Sequence, residues 1–423
     1  MNLPISRGEV RIPMAEILGD FVNSFLPKSL NVANEDVLQD LKKAIMDFTS
    51  ASEVILFPYA RSAFHAALKA LDLPSNSKIL LTPITIGPMI EVIEALGHEA
   101  VFVDIETDSF GASIADLKEK INSDNAAVFL YTHLFGYVDQ IDEVAAICKA
   151  HNVFLIEDIS HNLGSSINGK KVGLIGDVGI YSASLLKYVD SYNGAFLITN
   201  NAHFGSKLNA MVSSFKSPSK KRIRNIIFRS LIWKVALSRY FFAIVTFPSL
   251  FLLKMVSPSL FENLLGPGIK YSNLKELPDF YFERLSMLQA KAMIRGMNSL
   301  SKLIESRRSS AYKAIEALNH YDQNQASLLR SAISTFTFWQ FILPVTNVAK
   351  SKKLLFKMGV ETSTTNLRDL AFDNGVILKG ARVLKEKCIF IPLHSYMSLS
   401  DYQNIYRALY DAGLLRITST GDT

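Results

Sequence analysis

Between residues 53 and 200 short apolar runs alternate with segments whose apolar residues recur at helical spacing. The runs "EVILF" (53–57), "KILLTPI" (78–84), "AVFVDI" (100–105), "AAVFLYTHLFG" (126–136), "VFLIEDIS" (153–160), "VGIYSAS" (178–184) and "GAFLITN" (194–200) predict strands. The segments "DVLQDLKKAIMDF" (36–48), "RSAFHAALKAL" (61–71), "GPMIEVIEAL" (87–96), "SIADLKEKI" (113–121) and "IDEVAAICKAH" (141–151) predict helices. Continuously apolar strands alternating with helices argue an α/β fold whose mostly parallel sheet is covered on both faces. Ligands of such sheets bind beyond the carboxyl ends of the strands. That directs attention to "THLFG", "EDISH" and the loop around Lys187.

The rhythm breaks at 216–270, which is basic and apolar. Beyond it, 283–318 has sustained helical periodicity. Strands ("FWQFILPV", "KCIFIPLH") then mix with helices ("KSKKLLFKMG", "LSDYQNIYRALYDAG"), which reads as a smaller α+β domain. The expected organisation is a large domain over 1–215, an insertion over 216–270 and a small domain over 271–423.

A chain of 423 residues that is 49% hydrophobic and 20% charged is globular rather than disordered. Cys148 and Cys388 sit in apolar runs without metal-ligand neighbours, so neither a zinc site nor a disulfide framework is expected. The first residues hold no apolar core of a signal peptide, and a cytoplasmic setting is expected. The net charge of +6 is local: 216–261 carries nine Lys or Arg and no Asp or Glu. Basicity so confined does not describe a nucleic-acid surface. Three readings of that insertion stand open: helices lying on a membrane surface, a helical lid or dimer arm, and, least favoured, a spanning helix. The last is opposed by Pro248 and by an uncharged run (Tyr240–Leu253) shorter than the ~20 residues a bilayer needs.

Lys187 lies between two apolar runs, after Ser182 and Ser184 and before Asn193-Gly194. It reads either as a loop lysine or as one that forms a Schiff base. Asp158 ends a buried strand, where a carboxylate needs a partner. It reads either as a cap or local ion pair, or as the counter-ion of a buried cationic ring nitrogen, the arrangement pyridoxal 5′-phosphate (PLP) requires.

The stretch "EDISHNLGSSINGKKVGLIGDVGIYSASLLKYVDSYNGAFLITNN" resembles the DegT/DnrJ/EryC1/StrS family of PLP-dependent sugar aminotransferases, as do "VFVDIETDSFGASIADLKEKI", "YTHLFGYVDQIDEVAAICKAHNVFLIED" and "IFIPLHSYMSLSDYQNIYRAL". The resemblance implies the PLP-transferase fold type I, with a seven-stranded sheet and a smaller C-terminal α+β domain. It implies Lys187 as the Schiff-base lysine and proton carrier, Asp158 at the pyridine nitrogen and His161 near the ring oxygen. Ser182, Arg61 and Ser62 would hold the phosphate, with Ser62 also readable as a plain helix cap. It further implies a homodimer, a glutamate donor and a keto-sugar acceptor, nucleotide-linked or, in view of the insertion, lipid-linked, in surface polysaccharide or glycoconjugate assembly. The chain departs from the family pattern at Ala60-Arg61 (usually Gly-Thr), at Ile86 (often an aromatic on the ring) and at Phe282 (often an Asn reaching the partner's phosphate). Those departures keep a second reading in view, a PLP-fold protein that does not transaminate and serves as a membrane-associated assembly or regulatory partner.

Overall fold

Consecutive residues of a strand face opposite sides of a sheet, so a run that is apolar at every position needs a core on both sides. The computed structural model meets that demand. It describes residues 3–26, 28–124, 126–265, 276–365 and 367–417; the end of the 216–270 insertion and the first five residues of the expected small domain lie outside the described residues.

Helices α1 (Met14–Asn23) and α2 (Glu35–Thr49) come first. There follow β1 (Glu53–Phe57), α3 (Ala60–Leu71), β2 (Lys78–Leu81), β3 (Ile84–Thr85), α4 (Gly87–Ala95), β4 (Glu99–Phe102), α5 (Ile114–Asp124), β5 (Ala126–Thr132), α6 (Ile141–Ala150) and β6 (Phe154–Asp158). A small hairpin of β7 (Ser166–Ile167) and β8 (Lys170–Lys171) leads to β9 (Val178–Ser182), β10 (Ala195–Thr199) and α7 (Ala202–Ser213). The main sheet has seven strands in the order β1-β10-β9-β6-β5-β2-β4. Its pairings are parallel from β9 to β4, and β10 runs against both neighbours. Leu80, Phe129, Leu155 and Tyr181 fill one face and Ile79, Val128, Ile156 and Ile180 the other, all buried. The α/β expectation and its seven-stranded, mostly parallel sheet are borne out.

The insertion is helical: α8 (Lys220–Ala236), α9 (Arg239–Phe241), a π-helical stretch (Phe242–Thr246), α10 (Phe247–Val256) and α11 (Pro258–Leu265). Pro248 does not break it. The proline falls in the first turn of α10, directly after the wider π turn, where the ladder has room for its missing N–H. Helical backbone therefore runs from Arg239 to Val256, and over these 18 residues it is long and apolar enough to cross a membrane by length and composition.

The remainder comprises α12 (Met287–Leu318), α13 (Gln323–Ser331), β11 (Phe341–Pro344), α14 (Val348–Lys357), β12 (Arg368–Asp369), α15 (Leu370–Asp373), α16 (Lys379–Lys387), β13 (Cys388–Ile391) and α17 (Leu399–Asp411). β11 and β13 pair antiparallel and share a core with α12 and α17 built on Phe341, Ile389, Tyr402 and Ile405. Backbone cross-links tie this unit to the rest. β12 pairs with β3, setting Arg368 opposite Thr85. The extreme N-terminus returns to it as well: Ile5 bridges Val360, and His394 Nε2 donates to Ser6 O at 2.7 Å. His394 thus tethers the N-terminus.

Candidate active site

The carboxyl ends of the parallel strands open into a cavity of about 510 Å³. Lys187, Asp158, His161, Ser182, Arg61 and Ile86 all line it. Ser62 does not. It is the third residue of α3, fully buried, and its Oγ has no hydrogen-bond partner; the cap position belongs to Tyr59, so the plain-cap reading of Ser62 is set aside.

Asp158 is the last residue of β6, and its Oδ1 accepts the Ser160 N–H at 2.9 Å. Ser160 Oγ in turn accepts the Ser182 N–H at 3.1 Å. One short bend therefore fixes the end of β6 against the end of β9. The loop after β9 turns back through Leu186 at φ 70, a left-handed position. Tyr181 clamps that loop, accepting the Val189 N–H at 2.7 Å, while the indole N–H of Trp339 donates to Leu186 O at 3.1 Å.

Lys187 is half-buried on the cavity wall with its Nζ 4.5 Å from the centre of the Trp339 ring. Burial pushes its pKa down from the ordinary 10.5 to about 8, and the charge of Asp158 pulls the other way. A lysine in that range presents a substantial neutral fraction at physiological pH, as a nucleophile must.

His161 lies between two rings, stacked on Trp339 at 3.8 Å and 7° and near Phe135 at 5.7 Å. Burial, with the nearby Lys187 charge, holds its pKa well below the usual imidazole value. Its Nδ1 accepts the Phe135 N–H at 3.3 Å, so the neutral ring carries its proton on Nε2. The site thus holds a fixed N–H donor beside an amine of lowered basicity. Behind it, Glu157 is fully buried and accepts the N–H groups of Gly173, Ile175 and Gly176 and the ring of His133 at 2.8 Å. That hub braces the β6 end and makes His133 the architectural residue its strand-end position suggests.

On the opposite wall α3 starts at Ala60 with no acidic residue and no side-chain cap, which leaves N–H groups and the positive end of the helix facing the cavity mouth. The Arg61 guanidinium is 4.3 Å from the Tyr59 ring and 4.6 Å from that of Tyr281. Ser182 Oγ donates to Ser184 Oγ at 3.2 Å, and both residues line the cavity. These are the parts of an anion cup. Buried polar atoms left without partners gather here too: Arg61 Nε, Thr132 Oγ1 and His133 Nδ1 belong to lining residues. Ile86 presents an alkyl surface to the cavity, and Phe282 packs edge-on against His65 at 5.1 Å.

Several lining groups carried no sequence signal. α8 roofs the cavity through Arg222, Ile226, Arg229 and Trp233. Trp339 reaches Lys187 and His161 because Gly136, at φ 92, lets the β5 loop touch the Phe338 and Trp339 backbone; a Cβ there would overlap both amides.

A lysine of lowered basicity, a strand-end aspartate, a fixed imidazole N–H and an anion cup at one end of a mostly parallel sheet define a PLP-transferase fold. Residues 25–228 match the model of the DegT/DnrJ/EryC1/StrS aminotransferase family. Over 139 residues the chain is 32% identical to GDP-perosamine synthase of Vibrio cholerae, covering 33% of this chain and 38% of that protein. Over 177 residues it is 27% identical to UDP-4-amino-4,6-dideoxy-N-acetyl-beta-L-altrosamine transaminase of Campylobacter jejuni, covering 42% and 47%. The matches thus span about half the length, or less, of these curated relatives. Among solved structures, PseC of Helicobacter pylori, an aminotransferase involved in pseudoaminic acid biosynthesis, superposes with a TM-score of 0.70 at 16% identity over 97% of this chain and 99% of that one. An aminotransferase from Psychrobacter cryohalolentis gives 0.70 at 18% identity over 95% and 97%. These likenesses carry the fold across nearly the whole chain.

Proposed function

We propose that this chain is a PLP-dependent aminotransferase that moves an amino group from glutamate to a nucleotide-linked keto-sugar, as a cytoplasmic homodimer supplying surface polysaccharide or glycoconjugate assembly. The observation that carries the reading is Lys187 and Asp158 on the walls of one cavity, with the lysine's basicity lowered by burial. The sugar-aminotransferase names of the relatives support the acceptor class.

The residues fit the cofactor. Once bound, PLP supplies an aldehyde for the amine and a ring that withdraws electrons from the carbon bearing the transferred nitrogen. This chain's residues supply the rest. Lys187 would be the residue that holds the cofactor covalently and, when released as the free amine, the base that carries the proton to and from that carbon. Asp158 holds a proton on the ring nitrogen and so maintains the electron demand. His161 offers its Nε2–H to a ring oxygen. Arg61, the first amides of α3, Ser182 and Ser184 bind the phosphate. Ile86 would offer the ring an alkyl surface and dispersion contact alone. Arg229 in the roof adds positive charge where a donor carboxylate and a nucleotide diphosphate would enter in turn, while Arg222 beside it is paired with Glu283.

The test uses the purified holoprotein. Glutamate should abolish its visible absorption band, and one member of a panel of nucleotide keto-sugars should restore it. Borohydride reduction followed by peptide mapping should place the label on Lys187. A label elsewhere, or a band that glutamate leaves untouched, overturns the proposal.

A further inference from the structure

The insertion combines charge and exposure in a way that catalysis does not use. Among its apolar residues Phe228 and Ile232 of α8 stand half-exposed, and Ile244, Leu252, Met255 and Val256 are 61–76% exposed. A surface helix facing water carries polar residues at such positions. The patch continues onto α1, where Phe21 packs on Phe228 at 5.7 Å, and onto the turn that follows it, where Phe25 is 59% exposed. One edge of the Arg239–Val256 helix is anchored to the protein. Phe242, Ala243 and Leu250 are buried, and Phe247 and Phe251 lie 4.8 and 6.1 Å from Phe356. A helix held along one side lies flat on the body with its other side outward.

We propose that α8, α9 and α10 form a docking face for an anionic lipid bilayer, entering the headgroup and upper acyl region without crossing it. The apolar side chains supply the burial. The positive charge selects the surface: nine basic residues and no acidic one lie within 216–261. Arg239 opens the helix that carries Ile244 and Met255, Lys254 lies near its end, and Lys221 and Arg229 of α8 are exposed. Charge also decides against a second copy on this face, because two such segments meeting would oppose the exposed Lys221, Arg229 and Arg239 of each, and the nearby Asp279 and Glu283 are already paired with Lys216 and Arg222. α8 belongs to both surfaces, since Ile226 and Trp233 line the cavity while Phe228 and Ile232 face outward. The face therefore brings the cavity mouth to the membrane surface.

The experiment is flotation of the full-length holoprotein with phosphatidylcholine vesicles, with and without phosphatidylglycerol. Binding to the anionic vesicles should be at least about tenfold tighter than to neutral ones and should weaken as salt rises. The double variant Ile244→Glu/Met255→Glu should lose at least about tenfold in vesicle affinity while keeping its melting temperature and visible band. Lys221→Gln/Arg239→Gln should lose the preference for anionic lipid alone. Wild-type protein that stays unbound at low salt overturns the proposal. So does a wild-type oligomer that the Ile244→Glu/Met255→Glu variant dissolves, because the face would then join copies of the chain.

Discussion

Replacing Lys187 with methionine isolates the energetic cost of the lysine that the chemistry needs. Burial lowers its pKa from the ordinary 10.5 to about 8, so the folded chain holds that proton less tightly than the unfolded chain. Between those two values the unfolded state binds more protons, and stability rises with pH; below about pH 8 the full penalty is present, and above 10.5 it is gone. At about 1.4 kcal/mol per tenfold change, the penalty at neutral pH is about 3 kcal/mol. Cavity water and the Trp339 ring, 4.5 Å from the ammonium, offset about 1 kcal/mol. Methionine keeps all but the terminal atom of the side chain's length and none of its charge. Cofactor-free Lys187→Met protein should therefore resist urea better than cofactor-free wild type by roughly 2 kcal/mol at pH 7, the margin shrinking as pH approaches 10.5. The same variant should take up no covalently bound PLP. Equal stability at pH 7, or a margin independent of pH, would refute the reasoning.

Asp158→Asn should reduce turnover on the order of a hundredfold. It should also move the pH midpoint of PLP capture by Lys187 downward, because the Asp158 charge raises that pKa; an upward move in a stopped-flow capture series would contradict the assignment. The His161 ring resonances should show no titration between pH 5 and 8 in proton–nitrogen spectra, since burial holds the ring neutral; a midpoint near 6.5 would refute this. Glu157→Ala strands three backbone N–H groups and His133 in the core, so urea unfolding should report a loss of roughly 4 kcal/mol or more, and a loss under about 1 kcal/mol would remove the bracing role.

What the sequence revealed and what it hid follow from chain distance. Asp158, His161, Ser182 and Lys187 sit at or just past the ends of β6 and β9, and a run apolar at every position announces both strand and end. The seven-stranded sheet was legible for the same reason. Trp339 was not, because "FWQF" looks like any apolar run and its role depends on contact with Gly136, some two hundred residues earlier. The roof was hidden likewise, since α8 shows basic and apolar residues without showing which of them faces the cavity. Ser62 misled by one turn, because a serine near a helix start resembles a cap while the extended backbone at Tyr59 had already begun the helix. Pro248 misled in the opposite sense, as the π turn that accommodates it leaves no mark in the sequence.

The indole of Trp339 belongs to the second half of the chain, yet it backs both the imidazole and the amine of the first half. A fragment ending at residue 228 would keep Lys187, Asp158, His161, Ser182 and Arg61 and still present His161 with one face bare. Grafting the downstream half of a cousin onto this upstream half would exchange the wall behind the reacting amine along with the outer surface. Tuning of lysine reactivity is thus inherited from a region outside the stretch that carries the family's signature.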